Sequence, residues 1–140
     1  LRLPAGVPVH GLKSMNVPFV SGSNPFDVMV VIPCTMGTMG RIAHGMSEDV
    51  LTRAADVMLK ERRPLVLMPR ETPLHAGHCK LLFEATQIGA QIAPPMPAFY
   101  NDPQTIDDII NHSVGRVLDL FGIDNTIVKR WAGAQPRKKS

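Results

Sequence analysis

An arginine followed at once by a glutamate, Arg70-Glu71, stands in a loop bracketed by Pro69 and Pro73. A guanidinium can clasp a phosphate through two parallel N–H donors, and a carboxylate can move protons. A surface ion pair is the plainer reading of the same two residues. A second group is small and hydroxyl-bearing: Cys34-Thr35-Met36-Gly37-Thr38-Met39-Gly40. Thr35, Gly37 and Thr38, with backbone N–H groups ahead of a helix, suit an anion or an electron-rich ring system. The plainer reading is a strand-to-helix turn. Tyr100, the single tyrosine, follows Pro94-Pro95-Met96-Pro97. Its phenol can donate to a phosphate, or its ring can simply pack.

Other candidates have strong ordinary explanations. Arg116 sits off an apolar helical stripe, where a solvated arginine is normal. Arg53 and Lys60 are seven apart and share a helix face, each with an acid four residues earlier, Asp49 and Asp56. Pairs at i,i+4 account for that pattern. His75 and His78 fit one helical turn, but no third ligand is in view and no metal is expected. Cys34, next to an apolar run, reads as packing. With Cys79 it makes two cysteines, too few for a disulfide scaffold and read as buried thiols in a reducing, cytoplasmic setting.

The elements that must position these residues alternate. Val28 to Ile32 is a β-branched apolar run that reads as a strand buried on both faces and stops at Pro33. A short helix to about His44 follows, closed by Gly45. Ser47 is the expected cap of a helix whose stripe is Val50, Leu51, Ala54, Ala55, Val57 and Met58. Leu65 to Met68 is a second buried strand. A helix from about His75 to Ile88 ends at Gly89, and Ala90 to Ala93 is a short third strand. Thr105 with Asp108 resembles a capping box ahead of Ile106, Ile109, Ile110, Val114, Val117, Leu118 and Phe121, with Gly122 as the stop. Residues 1–27 read as irregular, with at most a short strand, and the stretch from Thr126 as a strand or turn. The order implies an α/β fold with a mostly parallel sheet and helices on both faces. In such a sheet ligands bind at the C-terminal strand ends, which is where the loops at 33–40, 69–73 and 94–100 fall.

The chain has 140 residues, 44% apolar and 19% charged, an ordinary globular balance. No apolar run approaches the ~20 residues of a membrane span, and Leu1-Arg2-Leu3-Pro4 does not read as a signal peptide. The net charge of +3 comes from the end of the chain. Lys129, Arg130, Arg137, Lys138 and Lys139 fall in the last twelve residues, which hold no acid. The remainder carries ten basic against twelve acidic residues, so a nucleic-acid groove is not expected.

Five ordered stretches resemble the UbiX-type flavin prenyltransferases: 31–38 (VIPCTMGT), 53–67 (RAADVMLKERRPLVL), 69–74 (PRETPL), 94–100 (PPMPAFY) and 114–119 (VGRVLD). The similarity covers roughly residues 20 to 131. It implies a Rossmann-like or flavodoxin-like flavoprotein domain over 1–131 with a basic tail at 132–140. It also implies a dodecamer with active sites at subunit interfaces. The implied reaction moves a dimethylallyl group from dimethylallyl phosphate to reduced FMN, bridging N5 and C6. The product, prenylated FMN, serves UbiD-type decarboxylases. By motif, Thr35, Met36, Gly37, Thr38 and Arg70 would bind FMN, with Arg53 a further candidate. Tyr100 and Arg116 would hold the donor phosphate, Lys60 would reach in from a neighbouring subunit, and Glu71 would manage protons. The family's opening strand and its glycine- and serine-containing loop have no match in residues 1–27, so the sequence looks N-terminally shortened. A non-catalytic flavin-binding subunit or fragment associated with a decarboxylase is the alternative. A related flavin-dependent cysteine decarboxylase fits the loops at 69–74 and 94–100 less well.

Overall fold

A computed structural model of the chain describes residues 3–24, 26–128 and 130. The basic stretch at 132–140 lies outside the described residues. The chain divides into two compact units, Leu1–Pro94 and Pro95–Ser140.

The first unit is built on a three-stranded parallel sheet in the order β1 (Met29–Cys34), β2 (Leu65–Pro69), β3 (Gln91–Ile92). Helices α1 (Met36–Ala43) and α2 (Val50–Lys60) connect β1 to β2, and α3 (Ala76–Gln87) connects β2 to β3. This is the parallel α/β order that the alternation of runs implies. β2 is buried along its whole length because it has a strand on either side and cover on both faces. Its Leu65 and Leu67 join Met39, Ala55, Met58, Ala85 and Val31 in the core.

β1 departs from expectation. Its continuous apolar run suggests burial on both faces, yet Val31 and Cys34 are buried while Val30 and Ile32 are 39% and 60% exposed. Val30 and Ile32 alternate onto the same face of β1, and no described element covers that face there. The segment before it holds a 3-10 turn, Pro18–Val20, and no strand among the described residues.

α2 starts two residues later than its first capping candidate. Asp49, not Ser47, is the cap: its side chain accepts from Thr52 N–H at 2.8 Å, and Thr52 Oγ1 accepts from Asp49 N–H at 3.2 Å. Asp49 wins because its second oxygen also accepts from Arg41 at 2.7 Å, tying the end of α1 to the start of α2. α3 ends at Ile88 and Gly89, whose φ of +106° a side chain would resist.

The second unit holds a 3-10 turn, Phe99–Asn101, and α4 (Ile106–Leu120). The Thr105–Asp108 capping box forms as the sequence suggests. Gly115 is buried under Val128 and Asn125, where a Cβ would have no room. Residues 126–128 form no strand.

The Asp49 network carries a pH dependence. The Thr52 N–H foremost, helped by the Thr52 hydroxyl and the Arg41 guanidinium, holds the Asp49 carboxyl below its usual range against an opposing push from burial. A lowered folded pKa contributes stability that is complete above the unfolded value of about 3.9 and is lost as pH falls through the folded one. Replacing Asp49 with Ala should cost about 1–2 kcal/mol at neutral pH. The difference from wild type, read by denaturant unfolding, should shrink on acidification below pH ~4. A difference that stays constant into acid would contradict this role.

Candidate functional site

Parallel pairing decides what meets at the sheet edge. Met29 pairs with Leu65 and Cys34 with Pro69, so the chain leaves β1 at Thr35 and β2 at Arg70 side by side. The third strand ends beside them, with Ala93 N–H donating to Leu67 O at 2.9 Å. The loops after β1 and β2, with the end of β3 beside them, therefore share the C-terminal edge, the position where open parallel sheets bind ligands.

Thr35 caps α1. Its Oγ1 accepts from Thr38 N–H at 3.1 Å and donates to the Thr38 hydroxyl at 2.9 Å, while its carbonyl accepts from Met39 N–H. The N–H groups of Met36 and Gly37 are then the helix-start donors that a ligand could use. A Cβ on Gly37 would meet nothing nearer than Thr35 Oγ1 at 4.0 Å, so the approach to this backbone is open. Met36 differs from its neighbours. Its side chain is buried in the core, and only its backbone is placed for a ligand. This strand end therefore offers backbone donors and an open approach to the hydrogen-bonding rim of a ligand.

Arg70 and Glu71 are exposed directly after the buried β2. Glu71 Oε1 accepts from Thr72 N–H at 3.2 Å, which orients the carboxylate. Ile32–Pro33 and Thr72–Pro73, in or beside two of these loops, are cis peptides.

Two sequence candidates lie elsewhere in the first unit. Lys60 ends α2 five residues ahead of β2, at the opposite end of that strand from Arg70, and pairs with Glu61. Within one copy of the chain it is separated from the Arg70 loop. Arg53 is committed twice: its Nη1 donates to Asp56 at 2.8 Å and its Nε to Val20 O at 3.1 Å. The i,i+4 partners expected from spacing, Asp49 for Arg53 and Asp56 for Lys60, are not the ones used. Arg63 makes a matching contact from Nη1 to Asn24 O at 3.0 Å. Between those two contacts Gly22 lies against the Lys60–Glu61 pair, where a Cβ would collide with the side-chain tips. Two arginines, Arg53 on α2 and Arg63 in the turn after it, thus strap residues 20–24 in place. Sequence offered no local signal for this, because the bonds span 33 and 39 residues.

In the second unit, Tyr100 is exposed on its 3-10 turn. Arg116 on α4 donates to Asp119 Oδ2 at 2.8 Å. Asp119 also accepts from Arg130 and Asn125, and these donors, Arg130 foremost, hold its carboxyl below the usual range. Arg116 is therefore oriented as well as exposed.

The thiols are not alike. Burial pushes Cys34 up to about 11, whereas Cys79 is exposed on α3, contrary to the expectation of two buried thiols. His75 caps α3, and its ring stacks on His78 with centroids 3.7 Å apart.

A parallel α/β sheet with connecting helices and loops gathered at its C-terminal strand ends belongs to the Rossmann-like class, in which that edge is where ligands bind. The comparisons narrow this class. The Flavoprotein family model matches residues 9–118, and the chain belongs to that family. A flavin prenyltransferase UbiX from Methanocaldococcus jannaschii is 51% identical over 114 residues, covering 81% of this chain and 62% of the relative. The chain thus spans a little under two thirds of that relative's length. A crystal structure of AnUbiX (PadA1) in complex with FMN and dimethylallyl pyrophosphate superposes with a TM-score of 0.87 at 48% identity, over 90% of this chain and 67% of that one. A dodecameric FMN-dependent UbiX-like decarboxylase from Escherichia coli O157:H7 gives 0.85 at 46% identity, over 89% and 67%. Among the described residues no helix is long and apolar enough to cross a membrane.

The thiol environments give a direct check. In the folded protein a maleimide should label Cys79 rapidly at neutral pH, and Cys34 only after denaturation. Equal rates for both thiols would contradict the burial of Cys34.

Proposed function

We propose that the chain carries the flavin-binding edge and catalytic loops of a flavin prenyltransferase, transferring a dimethylallyl group from dimethylallyl phosphate to reduced FMN. The observation that carries this reading is the Cys34–Pro69 register, which sets the Thr35–Thr38 helix start beside Arg70-Glu71. The names of the relatives support the same activity.

Reduced FMN supplies the nucleophilic N5 and C6 positions when bound. The chain's own residues have separable tasks. Met36 and Gly37 N–H groups, with the Thr35 and Thr38 hydroxyls, bind the flavin rim, and Arg70 adds a fixed positive charge. Arg116, oriented by Asp119, and the Tyr100 phenol bind the donor phosphate, where negative charge grows as the allylic C–O bond breaks. Their cationic and phenolic donors favour departure of the phosphate without a metal ion. Glu71, its carboxylate steered by the Thr72 N–H, would relay protons during ring closure, giving one to the prenyl alkene and taking one from the flavin carbon that bonds to it. The Arg53 contact to Val20 O makes it a strap first, and any flavin contact would use its remaining N–H groups. Lys60 acts on the donor phosphate of a neighbouring copy, since its own Arg70 loop is at the far end of β2. This requires a homo-oligomer, with a dodecamer the expected form. Exposed Ile106, Ile110 and Val114, at i,i+4 spacing along α4, give such an assembly apolar surface to bury. The product is prenylated FMN, passed in the cytoplasm to a UbiD-type decarboxylase.

Anaerobic incubation of the chain with reduced FMN and dimethylallyl phosphate should release a flavin heavier by one five-carbon prenyl unit, read by mass spectrometry. Glu71→Gln should still bind FMN and slow product formation by about 10²-fold or more. Unmodified FMN from the wild type would favour a flavin-binding subunit without turnover, and an unchanged rate in the variant would remove Glu71 from proton transfer.

A further inference from the structure

The donor-side residues of the second unit include a contact that the motifs do not announce. The Tyr100 hydroxyl is 3.4 Å from His112 Nε2. The two rings meet edge to face, with centroids 6.0 Å apart and planes at 89°. His112 is half-buried on α4, and Tyr100 is 72% exposed on the preceding turn. His112 also lines a cavity of about 250 Å³ together with Asn101, Asp102 and Asp108.

We propose that His112 is a positioning residue for Tyr100, its protonation deciding whether the phenol hydrogen is held by the imidazole or offered to the phosphate of the allylic donor. The proposal rests on the reading of Tyr100 as a donor-phosphate ligand. A neutral imidazole with a bare Nε2 accepts the phenol O–H and turns it away from any ligand. A protonated imidazole must donate at Nε2. The phenol oxygen then becomes the acceptor, and its hydrogen is released toward the phosphate. The imidazolium adds positive charge near the same anion. Histidine changes charge between about pH 5 and 8, within the range where a phosphate ester is bound as an anion.

The surroundings of His112 suit both states. The titratable or charged groups around it are Tyr100 on the 3-10 turn, Asp102 at the end of that turn, and Asp108 four residues back on α4. Arg116 is four residues ahead and is engaged by Asp119. The 127–128 segment contributes only Ile127 and Val128 to the cavity. The Thr105 hydroxyl, with the Gln104 and Thr105 N–H groups, holds the Asp108 carboxyl below its usual range, so it stays ionised across that span and accommodates an imidazolium.

Tyr100 is the chain's single tyrosine, so ring-labelled tyrosine gives one NMR signal from the full chain. In the wild type that signal should follow a titration between about pH 5 and 8. In His112→Gln, which keeps polar capacity without titrating, it should be flat. Calorimetric affinity for dimethylallyl phosphate gives the second arm. The ligand's own ionisation is common to both proteins, so the ratio of their affinities reads the imidazole alone. The wild type should bind about three- to tenfold more tightly than His112→Gln near pH 6, with the advantage shrinking by pH ~8. A wild-type Tyr100 signal that is flat with pH, or an affinity ratio that does not change with pH, would overturn the proposal. A Tyr100 signal that titrates in a protein unable to bind dimethylallyl phosphate would overturn it differently, by removing the donor role of Tyr100 while leaving its coupling to His112 in place.

Discussion

Everything placed at the proposed flavin edge depends on β2. Five consecutive residues, Leu65 to Pro69, are buried, hydrogen-bonded to a strand on either side and packed above and below. A backbone this enclosed must satisfy all its polar groups within the sheet, so its register with β1 is fixed. That register delivers Arg70-Glu71 beside Thr35. Shifting it by one residue would turn the alternate side chains of β1 to the wrong face and expose the apolar row that now fills the core.

The helices secure this arrangement by polar contacts rather than by burial alone. Asp49 joins the end of α1 to the start of α2, and Thr35 fixes where α1 begins. Arg53 on α2 and Arg63 just after it hold the segment before β1 through its backbone carbonyls. In the second unit Asp119 collects Arg116, Arg130 and Asn125. Each contact spends a charged group on geometry, whereas Arg70 and Glu71, exposed after a buried strand, form no ion pair among the described residues.

Local chemistry was legible from the sequence and long-range partnership was not. The Thr105–Asp108 box and the stops at Gly89 and Gly122 depend on neighbours within a turn, and they form as read. The five motif stretches likewise pointed to the family. The choice of Asp49 over Ser47 depended on Arg41, eight residues away in the chain. Arg53 looked like half of an i,i+4 pair, yet its second bond crosses to Val20. An apolar run such as Val28 to Ile32 reads the same whether or not both faces are covered, so the exposure of Val30 and Ile32 on β1 was invisible. The Tyr100–His112 contact required a turn and a helix to be placed first.

The central claim is that the loops after β1 and β2 form a flavin-binding edge. The most direct measurement is an amide NMR titration of the full chain with FMN under reducing, anaerobic conditions. Saturable shifts should centre on the Met36 and Gly37 N–H groups, with the Arg70 and Glu71 amides moving at the same ligand concentration. Shifts absent from that edge, or confined to the apolar cavity lined by His10, Phe19, Phe26 and Met29, would contradict it.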